Sequence, residues 1–358
     1  MLKKSMKILG IETSCDETAA AVVEDGTRLL SNVVASSMDL HRIYGGVVPE
    51  IAARSHIEAI TPVVKEALEQ ADCTWSSIDG IAVTYGAGLG GSLLIGVLTA
   101  RTLALCLNKP LYAVNHVEGH IYANFLTQTA LPGYSLPPSQ PTFPILALLV
   151  SGGHSQLVLF KDHFTYSLLG QTHDDAIGEA FDKVAKILGL PYPGGPSVSQ
   201  IAKHGDAQRY IFPKAKMSGK YDFSFSGLKT AVLRQAQSIC GKSYDFPSSQ
   251  LAGLLNEAQK ADIAASFQRI AIETVVDKTL LAYEAFSPSS VVIGGGVASN
   301  MELRRQLSER LPLSISYTDP KLCTDNGAMI ATLGCFMATR KRPVADPYRL
   351  DIAPSLSM

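Results

Sequence analysis

The chain has 358 residues, 46% of them hydrophobic and 18% charged, with a net charge of -1. This length exceeds the size at which one core usually divides, so two lobes are expected. The near-neutral balance excludes a chain-wide nucleic-acid footprint and leaves only a local patch for such a partner. Six cysteines without a C-x-x-C pair point to reduced thiols rather than a disulfide scaffold. The N-terminus has lysines but only a short apolar run before Glu12, which argues against a signal peptide. No apolar stretch approaches the ~20 residues that span a bilayer, so a soluble, cytoplasmic protein without a membrane partner is expected.

In chain order, residues 7–25 (KILGIETSCDETAAAVVED) read as strand, polar turn and strand. The tip carries hydroxyls with Asp16 and Glu17; its amides and hydroxyls can line a phosphate and Asp16 can take a metal or water, or its Asp and Ser simply satisfy local amides. Residues 41–71 read as a loop and two helices, with Thr61 as N-cap and Pro62 at the first helical position. Glu50, Arg54 and His56 read as a solvated helical face there. Residues 80–105 give a buried strand, a glycine turn and a helix. Gly86, Gly88 and Gly91 have G-x-G-x-x-G spacing, but no acidic residue follows ~20 on and no P-loop lysine is present, so close helix packing is the better reading.

Next, PLYAVN reads as a strand, and HVEGH (116–120) opens a helix with Asn115 as N-cap. His116 and His120 share one helical face, either as a metal clip or as two packed histidines. The order H-x-E-x-H puts Glu118 on the opposite side, unlike either zincin motif. A third ligand must come from elsewhere, and Asp325 at a later helix start suits imidazole as a partner.

Prolines and serines in 129–144 mark a boundary, giving lobes over 1–135 and 136–320. Residues 145–160 (ILALLVSGGHSQLVLF) repeat the hairpin layout, and the Gly152–Gly153 pair makes either a tight turn or an anion-holding nest. Asp174, Asp175, Glu179 and Asp182 read as acidic residues of one helix over 173–202, which ends in the rigid turn YPGGP. Residues 214–235 interleave Lys214, Lys216, Lys220, Lys229 and Arg234 with Tyr221, Phe223 and Phe225, a pattern that suits single-stranded RNA or a basic surface over buried rings. Residues 290–311 repeat the strand, glycine turn and helix, with Asn300 either at a nucleotide or as a cap. A Gly/Ala/Thr-rich returning helix is expected within 321–345, packed closely on other backbones, followed by an irregular, partly disordered tail over 346–358.

GIETSCDET, YGGVVPEIAARSH, HVEGH, LLVSGGHSQL, GEAFDKVAKILGLPYPGGP, DFSFSGLKTA, VIGGGVASN and CTDNGAMIA appear in this order. Together they resemble the TsaD family of tRNA threonylcarbamoyladenosine transferases, once catalogued as glycoproteases, over about residues 7 to 335. The resemblance implies a duplicated actin/Hsp70/sugar-kinase-like (ASKHA, RNase H-like) α/β fold of two lobes with an interlobe nucleotide cleft. It implies transfer of the threonylcarbamoyl group of threonylcarbamoyl-AMP to the exocyclic amine of adenosine 37, in tRNAs reading codons that begin with A, with release of AMP. His116, His120 and Asp325 then hold one divalent metal, iron(II) foremost, with zinc or manganese as alternatives. Leu149, Val150, Ser151, Gly152, Gly153, Asp182, Gly195 and Asn300 contact the adenylate. Ser199 departs from the pattern, since some members have Asp there. Asp16, with Glu17 behind it, is the candidate base. The implied partners are tRNA, a TsaB-like paralogue, a TsaE-like ATPase and a TsaC-like synthase. An ATP-dependent small-molecule kinase of the same fold, a metalloprotease and a nucleotide-gated scaffold are the competing readings.

Overall fold

The computed structural model describes residues 5–358. The chain divides into two compact units, Met1–Pro141 with Ser316–Met358, and Thr142–Ile315. The first unit contains β1 (Lys7–Glu12), β2 (Glu17–Glu24), β3 (Arg28–Ser36), β4 (Gly80–Gly86), β5 (Leu111–Asn115) and β6 (Gln128–Thr129). Its helices are α1 (Met38–Arg42), α2 (Pro49–Gln70), α3 (Gly90–Leu107) and α4 (His116–Tyr122). The second unit contains β7 (Ile145–Val150), β8 (Ser155–Asp162), β9 (Thr165–Gln171) and β10 (Ser290–Gly294). Its helices are α5 (Ile177–Leu188), α6 (Gly194–Ala202), α7 (Ser226–Ile239), α8 (Glu257–Phe286) and α9 (Met301–Arg310), after which α10 (Gly327–Thr339) belongs to the first unit again.

Strand order runs β5-β4-β1-β2-β3-β6 in one sheet and β10-β7-β8-β9 in the other. β2 lies between β1 and β3 and runs antiparallel to both, and β4 lies parallel to β1. β7, β8 and β9 repeat that pattern, and β10 lies parallel to β7. The duplicated α/β architecture expected from the two hairpins is therefore present, with each hairpin followed much later by a parallel strand, a glycine turn and a helix.

Alternation along β1 sends Leu9 and Ile11 to one face of the sheet and Ile8 and Gly10 to the other. On the first face they meet Ile60, Val63, Val64 and Ala67 of α2 and Val97, Ala100 and Ala104 of α3, whose spacing is that of one helical stripe. On the other face lies α10. Its Gly/Ala composition permits backbone-to-backbone contact: a Cβ on Gly10 would fall 2.4 Å from both Ala331 N and Gly327 O, and one on Gly334 would fall 2.5 Å from Ala82 Cβ. Gly10→Ala is therefore expected to cost about 3 kcal/mol, the upper part of the usual overpacking range, because backbone rather than a side chain must yield. A shift of the denaturant midpoint at unchanged slope would measure it.

Three local readings change. The stretch 49–70 is one helix with Pro62 inside it, because the stripe Ile60, Val63, Val64, Ala67 continues past the proline and its burial outweighs the one missing hydrogen bond. Asp174 and Asp175 precede α5 rather than lying on it. Asp174 instead accepts from Ser224 Oγ at 2.5 Å and Ser226 Oγ at 2.6 Å, tying down the start of α7. Among the described residues α3 alone has the length and hydropathy of a membrane-crossing helix; here its Val97, Ala100 and Ala104 lie in the core cluster.

The tail is irregular but tied down. The Arg101 guanidinium donates to the carbonyls of Pro347, Tyr348 and Leu350 at 2.6, 2.9 and 3.2 Å. Ala353 N–H donates to Tyr85 O at 2.7 Å.

Candidate active site

Asn115 ends β5 and caps α4, its Oδ1 accepting the Val117 N–H at 2.9 Å. His116 and His120 follow on one face of the helix, both buried, with ring centroids 4.7 Å apart. Asp325 comes from the turn before α10, where Asn326 accepts from Met329 N–H and donates to the Leu322 and Thr324 carbonyls. Gly119, between the histidines, lets α10 approach: a Cβ there would fall 3.0 Å from Ile330 Cδ1. As a result His116 Nε2 lies 3.5 Å and His120 Nε2 3.3 Å from Asp325 Oδ1.

Two ligands each ~2.1 Å from one ion stand ~3.0–3.4 Å apart at octahedral or tetrahedral angles, so these separations suit a shared cation. A second observation agrees. Both ring nitrogens of His120 are buried without a hydrogen-bond partner among the described residues, a costly condition that an ion at the convergence point relieves at Nε2. The three residues fit a divalent metal.

Glu12 completes the arrangement and was not singled out from the sequence. It is fully buried. Its Oε1 accepts the Ser14 N–H at 2.5 Å, and its Oε2 accepts from Thr84 Oγ1 and lies 3.2 Å from His116 Nδ1. A carboxylate on the far nitrogen of a ligating imidazole fixes the tautomer and leaves Nε2 as the donor to a metal. Burial would raise the Glu12 pKa, but the facing His116 outweighs it and holds the carboxyl below its ordinary value. Burial would lower the His116 pKa, but Asp325 and Glu12 overcome it and push it up to about 9. Burial and Asp325 push Glu17 up to about 9. Negative charge is concentrated here, and a cation would displace protons from the cluster.

The turn that carries Asp16 is held from several sides. Ser14 O accepts Leu89 N–H at 2.8 Å, Cys15 O lies 3.0 Å from His56 Nε2, and Asp16 O accepts from Ser37 Oγ at 2.7 Å. Gly96 of α3 faces Thr13, where a Cβ would fall 2.3 Å from the hydroxyl. Close packing is thus what the glycines of 86–96 supply. His56 is fully buried rather than part of a solvated face: Thr18 Oγ1 lies 2.8 Å from its Nδ1, and holding the hairpin tip satisfies both ring nitrogens. Glu50 and Arg54 are exposed. Glu118 belongs to a different environment, where burial pushes its pKa up to about 7 against the opposing charge of Arg342.

In the second unit, Leu149 and Val150 end β7, and Gly152 and Gly153 form the tip between Ser151 and His154, where Ser151 N–H donates to His154 O at 2.8 Å. Neither glycine would meet anything within 4 Å of an added Cβ, and neither would Gly195. Among the described residues the amides of Gly152 and Gly153 donate to no protein acceptor. Beneath them lies the first turn of α5, where a Cβ on Gly178 would fall 2.6 Å from Ser151 O, so the positive end of that helix adds to the uncovered amides. Gly295, at φ +89°, brings the β10 turn against Val150, where a Cβ would fall 2.4 Å from its carbonyl.

Asp182 Oδ1 accepts Gly194 N–H at 2.6 Å, fixing the turn before Gly195. Asn300 caps α9 through Oδ1, which accepts from Glu302 and Leu303. The cradle is chemically suited to an anion flanked by hydroxyls. The basic stretch is less open than its sequence suggests: Lys214 pairs with Glu273 and Asp277, Lys229 lies 3.6 Å from Asp175, and Phe223 and Phe225 are fully buried.

A family model described as "TsaD: tRNA N6-adenosine threonylcarbamoyltransferase" matches residues 28–332. A protein of Thermomicrobium roseum named tRNA N6-adenosine threonylcarbamoyltransferase is 51% identical over 342 residues, 94% of this chain and 93% of its own. One of Symbiobacterium thermophilum with the same name is 51% identical over 333 residues, 92% of this chain and 91% of its own. Among solved structures, full-length HypF in the phosphate- and nucleotide-bound form aligns at a TM-score of 0.56 and 13% identity, over 94% of this chain and 56% of that one, a likeness of fold. The repeated sheet order, the two imidazoles facing a carboxylate and a match over most of the length converge, and the chain belongs to the TsaD family of tRNA N6-adenosine threonylcarbamoyltransferases.

Proposed function

We propose that the chain transfers the threonylcarbamoyl group of threonylcarbamoyl-AMP to the exocyclic amine of adenosine 37 in tRNAs reading codons that begin with A. The observation that carries this reading is the convergence of His116, His120 and Asp325 at the positions that the family resemblance assigns to its metal. A divalent ion held there, iron(II) by that resemblance and zinc or manganese by ligand chemistry, would supply Lewis acidity to the acyl carbonyl and charge to the departing phosphate.

The chain's own groups do the rest. The uncovered amides of Gly152 and Gly153 hold the phosphate, in a turn that Ser151 closes through its N–H to His154 O, while Asp182, Gly195 and Asn300 orient the nucleoside. The amine nitrogen bonds to the carbamoyl carbon, the bond from that carbon to the phosphate oxygen breaks, and AMP leaves with the electron pair. Asp16, with Glu17 behind it, accepts the amine proton. A TsaC-like synthase supplies the adenylate, and TsaB-like and TsaE-like proteins complete a cytoplasmic assembly.

Incubating the chain with labelled threonylcarbamoyl-AMP and unmodified tRNA, with and without those proteins, tests the reading. Label in tRNA at adenosine 37 and an equal amount of AMP are expected; adenylate hydrolysis without tRNA labelling under every combination would overturn it.

A further inference from the structure

We infer that Gln268 is a specificity-determining residue whose amide N–H2 donates to a ribose hydroxyl of the nucleotide held in the second unit. The inference rests on the adenylate reading above. Gln268 lies on α8 and is half-buried. Its Oε1 accepts from Ser199 Oγ at 2.7 Å and from Asn300 Nδ2 at 3.1 Å, and Asn300 Nδ2 also donates to Ser199 Oγ at 3.0 Å. The orientation of this amide follows from the network. Asn300 Oδ1 is committed to two backbone N–H groups at 2.9 and 3.1 Å, so Asn300 presents a donor to Gln268. Gln268 must answer with its oxygen, and its nitrogen points away.

Among the described residues nothing accepts from that nitrogen, and it is not sealed from solvent. Its place is also defined. Ser199 stands four residues after Gly195 on α6, hence one turn along the same face, and the space over Gly195 is open. Asp182 holds the turn at the head of that helix through Gly194. A nucleoside over Gly195 would meet, one turn along, a neutral donor with both of its hydrogens available.

Equilibrium binding of AMP, 2′-deoxy-AMP and 3′-deoxy-AMP to the full chain and to Gln268→Met tests this. Methionine keeps the length and helix preference of glutamine without its polar end; Gln268→Leu serves if that variant does not fold. For the native chain, AMP is expected to bind roughly three- to tenfold more tightly than one of the deoxy analogues, the worth of one neutral hydrogen bond. In the variant the ratio is expected to fall to about one, with the affinity for that deoxy analogue unchanged. A general loosening of the site would weaken all three ligands together and keep the ratio, which would overturn the inference, as would a native chain that does not discriminate. A native chain that binds none of the three would overturn the adenylate reading itself.

Discussion

His120→Ala is expected to yield a folded protein that has lost its divalent ion and about 10²–10³-fold or more of its transfer rate. The size follows from the several kcal/mol that a positioned cation contributes to charge developing at a reacting centre, each 1.4 kcal/mol being a factor of ten. Intact folding follows from the hydrogen bonds. His120 is buried, yet neither ring nitrogen has a hydrogen-bond partner among the described residues. Its removal breaks no such bond and costs only the 3.3 Å approach to the part-exposed Asp325 carboxylate, while it relieves nitrogens that lack hydrogen bonds, which offsets part of the cavity left behind. His116→Ala differs, because it strands the buried Glu12 carboxylate that faces Nδ1 at 3.2 Å and is expected to destabilise as well as deplete the metal. Metal content per chain, thermal unfolding and tRNA transfer measured on both variants separate these effects. A His120→Ala protein that keeps one ion per chain would sink the metal assignment.

What could be read from the sequence depended on whether a residue acts locally. The repeated hairpins, the strand before each glycine turn and the histidines four apart are signals within a dozen residues, and the sheet order and the α4 face follow them. The close approach of α10 was legible too, because Gly327 and Gly334 leave no side chain to hold the helix off. Glu12 was not legible. At the end of an apolar strand it reads as the first polar residue of a turn; only the arrival of Thr84, 72 residues on, and His116, 104 residues on, makes it a buried acceptor. His56 misled for the complementary reason: helical periodicity describes the face, while the partner on that face, the Cys15 carbonyl, is 41 residues away. Gln268 has no motif at all, and its orientation is decided by the cap that Asn300 makes to another helix.

Glu12→Gln, which changes one atom and a charge, is expected to lower metal affinity by about 100-fold, the strong end of the range for partners that orient a ligating histidine. One fixed donor decides the way the new amide must sit. Ser14 N–H points at the Oε1 position from 2.5 Å and cannot reverse its role, so the amide oxygen must occupy that place. The amide nitrogen then falls at the Oε2 position, facing His116 Nδ1 and the Thr84 hydroxyl. The Thr84 hydroxyl can turn to accept; at His116 Nδ1, which also has Ser14 Oγ at 3.1 Å, the amide hydrogen now favours the tautomer that accepts at Nδ1 and carries its hydrogen on Nε2. That is the nitrogen facing Asp325, and a protonated nitrogen has no lone pair for a metal. The substitution thus works by inverting a tautomer, with packing left in place. Glu12→Asp retains an acceptor-only side chain, though a shorter one, and is expected to lose less. Competition with a chelator of known affinity, run beside thermal unfolding, measures this. Glu12→Gln binding metal as tightly as the native chain, with the fold intact, would mean that His116 does not bind through Nε2 and that the carboxylate behind it has another purpose.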